Sequence, residues 1–155
     1  MKEGDIIHRV KRKYIYLTLT LLWIGFILYM SSKPAVESSQ ASSQIVDLIL
    51  NWFGVGESYE EGLTFIVRKG AHFTEYFILS ALITTTYGAF NNKKFNYSFI
   101  LLCGVITALG DEFLQGFVQG RSSEVRDVLI DFSGVSAFLV VFKIFIYSKL
   151  CNNID

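Results

Sequence analysis

Y-I-Y-L-T-L-T-L-L-W-I-G-F-I-L-Y-M, Tyr14 to Met30, contains no charged side chain. A helix of a soluble domain would repeat an apolar stripe every three or four residues between charged positions. This run has no such interruption. It approaches the roughly 20 residues that carry a helix across a hydrocarbon core. Three further blocks follow it. Ala71 to Phe90 has His72 and Glu75 near its start, Tyr97 to Phe117 is uncharged until Asp111 and Glu112, and Val128 to Tyr147 has Asp131 near its beginning and Lys143 near its end.

The chain has 155 residues, 52% of them apolar, and a single proline. Those totals suit either a compact soluble domain or a small integral membrane protein, and the block distribution selects the second. A backbone in lipid must satisfy its own hydrogen bonds, so the blocks are read as helices. The expected fold is an all-α membrane protein, one domain over 1–155, with a four-transmembrane-helix bundle at about 14–31, 71–90, 97–117 and 128–147. A secretory signal is the alternative for the first block, since Lys11, Arg12 and Lys13 precede it, but the run exceeds the usual apolar region of such signals.

Between the first two blocks lies K-P-A-V-E-S-S-Q-A-S-S-Q-I-V-D-L-I-L-N-W-F, Lys33 to Phe53. Pro34 suits a helix start, and Ile45, Leu48, Ile49, Trp52 and Phe53 follow at amphipathic spacing. The segment is too short and too polar at its start to span. An interfacial amphipathic helix at about 35–53 is expected, packed on the bundle as a lid or brace, with Trp52 at headgroup level. Gly54 and Gly56 read as its end.

Positive charges set the orientation. Lys2, Arg9, Lys11, Arg12, Lys13, Lys93, Lys94, Lys143 and Lys149 fall on one side, against Lys33, Arg68, Lys69, Arg121 and Arg126 on the other. The positive-inside rule places both termini and the 91–96 turn in the cytoplasm of a multi-pass cell-membrane protein. Alternating chain direction then brings the start of the second block, the end of the third and the start of the fourth to the extracellular side. The minority cations, His72 and every intramembrane carboxylate gather there.

Helical spacing places His72, Glu75 and Leu79 on one face, Asp111 and Gln115 above Gly104, Thr107 and Ala108 on another, and Asp127, Asp131 and Gly134 on a third. Small residues below polar ones let helices approach closely, so the three faces are expected to meet around a polar pocket. Charged groups at membrane depth are costly unless paired or solvated, and are functional candidates by default. The plain alternative is an ion lock in which Glu75, Asp111 and Asp131 pair with Arg68, Arg121 or Arg126. Desolvation makes such networks poor stabilisers, which favours function.

R-K-G-A-H-F-T-E-Y-F, then D-E-F-L-Q-G-F-V-Q-G-R, then D-V-L-I-D-F-S-G resemble the signature of VanZ-like proteins, small bacterial membrane proteins related to a teicoplanin-resistance accessory protein. Lys69, His72, Glu75 and Tyr76 match the first motif, Asp111, Glu112, Gln115 and Arg121 the second, and Asp127 and Gly134 the third. The family commonly has asparagine where Asp131 stands, so this chain carries an extra negative charge there. The resemblance implies a cell-envelope role connected with lipoglycopeptide susceptibility, and it supplies no reaction.

Two readings of the constellation stay open. In the first, Arg68, Lys69, Arg121 and Arg126 hold a phosphate-bearing or glycolipid headgroup through charge-assisted hydrogen bonds, with Gln115, Asp127 and Asp131 positioning them and Tyr76 and Trp52 flanking the lipid. In the second, an intramembrane hydrolase or transferase uses His72 with Glu75, Asp111 or Glu112 as acid and base. A divalent metal among His72, Glu75, Asp111, Glu112 and Asp127 is a variant, but one histidine beside acids is a weak signal and no metal site is assigned. No cofactor is identified and no nucleophile motif stands out. A proton-coupled carrier would need an oligomer, since four spans are few and the charges sit at one end. Expected partners are membrane lipids, a lipid-linked envelope precursor or a lipoglycopeptide. Nucleic acid is not expected, because the N-terminal cations read as topology and anionic-lipid anchors. Cys103 and Cys151 lie at opposite ends and predict no disulfide.

Overall fold

The computed structural model describes the backbone of residues 3–53, 60–92 and 94–151. The expectations for Lys2, Lys93, Gly54 and Gly56 lie outside the described residues, as do those for the side chains of Arg9, Phe53 and Cys151. Among the described residues there are five α-helices and no strand: α1 Glu3–Ser31, α2 Ala35–Phe53, α3 Glu60–Phe90, α4 Tyr97–Gln115 and α5 Val125–Cys151.

Three of them contain stretches long and apolar enough to cross a membrane: Val10–Ser31, Tyr97–Gln115 and Val125–Lys149. Helix α3, expected as a further span, has the length but not the apolar composition. Its place in the bundle explains this, since α3 packs against each of the other four helices. A helix lined by protein has less need of apolar side chains than one facing lipid. It also begins earlier than its apolar block, because E-E-G-L-T-F-I-V-R-K forms helix without being apolar.

The bundle exposes many large apolar side chains and buries several charged ones beside an apolar core. Leu22 on α1, Ile106 on α4 and Ile144 on α5 are exposed, whereas Asp111 and Asp131 have no accessible surface. That inversion of the usual soluble pattern fits a lipid-facing exterior. Ile27, Tyr76, Leu79, Ile83, Ile100, Ala108, Val135 and Leu139 form the packed interior.

Hydroxyls and one indole join the helices. The Thr20 hydroxyl donates to Tyr16 O at 2.9 Å, so the 2.8 Å contact with Thr86 Oγ1 has Thr86 as donor. Ser80 donates to Val135 O at 3.2 Å, and Trp23 Nε1 to Glu75 O at 3.0 Å. The α3–α5 crossing is close because Gly134 lies against the Phe73 carbonyl, where a Cβ would collide with backbone. Gly104 likewise admits the Val135 side chain, so the predicted small-residue contacts are present.

Local signals mark the helix ends. Asn96 Oδ1 caps α4 by accepting from Phe99 N at 3.1 Å. Beyond α3, Asn92 takes a left-handed φ of 51°, a conformation asparagine tolerates. Pro34 stands just before α2, its carbonyl accepting from Ser38 N at 3.2 Å.

Helix α2 has the expected limits, but a different side meets the bundle. Ser42, Val46 and Leu50 are buried, whereas Ile45, Leu48 and Trp52 are exposed. The apolar stripe read from the sequence mostly faces outward. Two faces of α2 carry apolar residues, and periodicity cannot tell which one protein covers.

Candidate functional site

The first turns of the α3 block, the end of α4 and the start of α5 converge, as their alternating directions require. Helix α3 contributes Arg68, Lys69, His72, Glu75 and Tyr76; α4 contributes Asp111, Glu112 and Gln115; α5 contributes Asp127 and Asp131. The 116–124 connection closes over them. It leaves α4 through tight turns, with Val118 N bonded to Gln115 O at 2.9 Å and Arg121 N to Val118 O at 3.1 Å. Gly120 between them has φ +76°, a left-handed value that glycine adopts without strain. The turn returns Arg121 to the bundle and places Gln119 O within 3.3 Å of Ala35 N at the start of α2.

Gln115 connects these parts. Its Nε2 donates to Asp111 Oδ2 and Glu112 Oε1, each at 3.2 Å, and lies 3.5 Å from Ser31 Oγ. Its Oε1 accepts from Arg121 Nη1 at 3.1 Å. Arg121 Nη2 reaches Met30 O at 3.5 Å. Glu112 Oε2 accepts from Glu124 N at 2.8 Å and thereby holds the entry to α5. Glu112, a candidate acid or base from the sequence, thus also anchors the start of α5.

Lys69 pairs with Asp127 at 2.5 Å, joining α3 to α5 where both side chains are largely buried. His72 Nδ1 lies 3.4 Å from Asp131 Oδ1, but the two are not aligned as a hydrogen bond and both atoms lack one. Asp131 Oδ2, Asp111 Oδ1, the Tyr76 hydroxyl and the Nε atoms of Arg68 and Arg121 are also buried without a partner. Neither Arg68 nor Arg121 forms an ion pair with a carboxylate among the described residues. The ion lock considered from the sequence therefore has a different geometry.

Beside this cluster is a cavity of about 180 Å³. Arg68, His72, Glu75 and Arg121 line it, together with Lys33, Met30, Ser31 and the Glu37, Ser38 and Ser42 side of α2. The volume is well above the ~15 Å³ that one water needs. Burial and then the neighbouring Arg68 guanidinium lower the Arg121 pKa from its ordinary value, while Asp111, Glu112 and Glu75 act in the opposite sense. Two guanidinium groups with unpartnered Nε donors thus line this cavity beside the carboxylates of Glu37 and Glu75.

Other candidates are placed apart. Arg126 is exposed, pairing with Glu124 at 2.8 Å and lying over the Phe65 ring. Trp52 is 88% exposed and does not line the cavity. Tyr76 is wholly buried in the bundle, so it packs as core and does not flank the cavity. Ser31, Glu37, Ser38 and Ser42 were missed as lining residues. The spacing of Ser38 and Ser42 on one face of α2 was the available signal.

The VanZ/LLP1 family profile matches residues 16–146. No curated protein and no solved structure matches the chain. The matched span includes every element of the polar cluster, and its apolar helices make this a multi-pass membrane protein. The chain belongs to the VanZ/LLP1 family.

Proposed function

We propose that this protein recognises the anionic, phosphate-bearing headgroup of a lipid-linked envelope component in the cavity between α2, the end of α1, the 67–75 stretch of α3 and Arg121 of the 116–124 turn. In this reading α3 is a fourth span, α2 lies along the interface, both termini are cytoplasmic and the cavity opens toward the outer leaflet. The observation carrying the proposal is that Arg68 and Arg121 both line one cavity while each keeps a buried, unpartnered Nε. Arginine forks match phosphate oxygens, and an anion between the two would relieve their mutual repulsion. Lys33 adds a third cation at the same wall, and the Ser31, Ser38 and Ser42 hydroxyls offer further hydrogen bonds. Lowered teicoplanin susceptibility is the proposed cellular consequence of sequestering or presenting such a lipid.

The test uses the full chain in nanodiscs, titrated with a polyprenyl phosphate, the corresponding neutral polyprenol and free inorganic phosphate. Binding of the polyprenyl phosphate alone is expected. Arg121→Ala should weaken it at least about tenfold, as loss of a charge-assisted hydrogen bond of ~1.5–3 kcal/mol implies. Equal affinity for the neutral polyprenol, or unchanged affinity in folded Arg121→Ala and Arg68→Ala, would overturn the proposal. Free phosphate binding as tightly would reassign the ligand to a soluble anion.

The second reading is an intramembrane hydrolase or transferase. One observation favours it: His72 and Glu75 line the same cavity as the arginines, within reach of a bound headgroup. Product formation from the polyprenyl phosphate, abolished in folded His72→Ala or Glu75→Gln, would select it over binding alone.

A further inference from the structure

We propose that His72, Asp111 and Asp131 form a binding site for a divalent first-row cation, Zn²⁺ or Mn²⁺, inside the bundle. The three residues come from α3, α4 and α5, and each offers one ligand atom such that all lie within 4.8 Å of one another. Asp111 and Asp131 have no accessible surface, and His72 is 9% exposed. This is an enclosed cluster, where surface solvation of the carboxylates is not available.

The unpartnered atoms point to a cation. Asp131 has neither oxygen hydrogen-bonded, Asp111 Oδ1 is free and His72 Nδ1 has no bond. Buried carboxylates in that condition are costly, and among the described residues no lysine or arginine forms an ion pair with Asp111 or Asp131. Lys69 is held by Asp127, while Arg121 donates to Gln115 and the Met30 carbonyl. The 3.4 Å separation of His72 Nδ1 and Asp131 Oδ1 is poor for a hydrogen bond here. It agrees with the ~3.4 Å expected between two ligands each about 2.1 Å from a shared tetrahedral ion.

The surroundings suit ligation. Asp111 Oδ2 accepts from Gln115 Nε2 at 3.2 Å, which orients the carboxylate and leaves Oδ1 available. Such a hydrogen bond to the other oxygen commonly orients a carboxylate that ligates a metal. One imidazole with two carboxylates matches a borderline ion better than the all-oxygen sets of calcium or magnesium. His72 also lines the Arg68–Arg121 cavity, so an ion here could be approached from that side.

The experiment is metal analysis on the tag-free full chain in detergent, stripped with EDTA, dialysed and re-equilibrated with Zn²⁺ or Mn²⁺. Wild type and Arg121→Ala should each retain about one ion per chain. Asp131→Asn and His72→Ala should lose it, and the melting temperature of wild type, but not of Asp131→Asn, should rise on metal addition. Wild type that retains no ion and shows no rise would overturn the site, leaving protons to satisfy the carboxylates. Stoichiometric ion retained in folded Asp131→Asn and His72→Ala would also overturn it. Loss of polyprenyl-phosphate binding in Arg121→Ala with the ion retained separates this site from the headgroup proposal.

Discussion

Gln115 accepts a hydrogen bond from Arg121 across 3.1 Å and donates to the carboxylates of Asp111 and Glu112, so one amide joins the returning loop to two buried acids. Replacing Gln115 with leucine keeps much of the volume and removes all three bonds. Unmet buried donors and acceptors cost about 1–3 kcal/mol each. Gln115→Leu is therefore expected to lower the detergent melting temperature clearly. A melting temperature equal to wild type would show that the amide is dispensable.

Gly134 tests the α3–α5 contact. A methyl group there would meet the Phe73 carbonyl, whereas at Gly25 on α1 nothing lies within 4 Å. Overpacking against backbone costs about 1–3 kcal/mol, but alanine in an open helical position gains up to ~1 kcal/mol over glycine. Gly134→Ala should destabilise and Gly25→Ala should not. Equal tolerance of both in thermal unfolding would contradict the close crossing.

Lys69 and Asp127 form a pair between α3 and α5 with side chains 14% and 7% exposed. Breaking a buried pair by removing one partner costs about 3–5 kcal/mol, because the other charge remains uncompensated. Lys69→Met and Asp127→Asn should each destabilise strongly, and the double variant should recover part of the loss. Strict additivity in a double-mutant cycle would show that the two side chains do not interact.

Sidedness can be read from cysteine labelling in intact cells, with Cys103 and Cys151 replaced by serine. Arg126 is exposed at the polar end and Lys13 lies at the opposite end, beside Phe90. Arg126→Cys should react with a membrane-impermeant maleimide from outside, and Lys13→Cys only after permeabilisation. The reverse pattern would invert the proposed orientation.

Much of the architecture is a local property of the chain. The run Tyr14–Met30 is a span by length and lack of charge, the α2 limits follow from Pro34 and the following pattern, and alternating directions place His72, Asp111 and Asp131 at one end. Run length and helical period act within one segment, so they are legible before any packing is known. Local composition was less informative for α3, because protein surrounds that helix and relaxes the demand for apolar side chains.

Partnership between side chains follows another rule. It depends on how each helix is rotated about its axis and on where a loop returns, and neither is encoded in spacing. Hence Arg126 turned outward to Glu124, Glu112 was taken by the Glu124 amide, and α2 buried Ser42 and Val46 while Ile45 and Trp52 stayed exposed. The 116–124 turn, through the left-handed Gly120, brought Arg121 beside Arg68. From sequence one could say that charges collect at one end of an apolar bundle; which of them remain buried without a partner, and so available to a ligand or ion, was settled by helix packing in three dimensions.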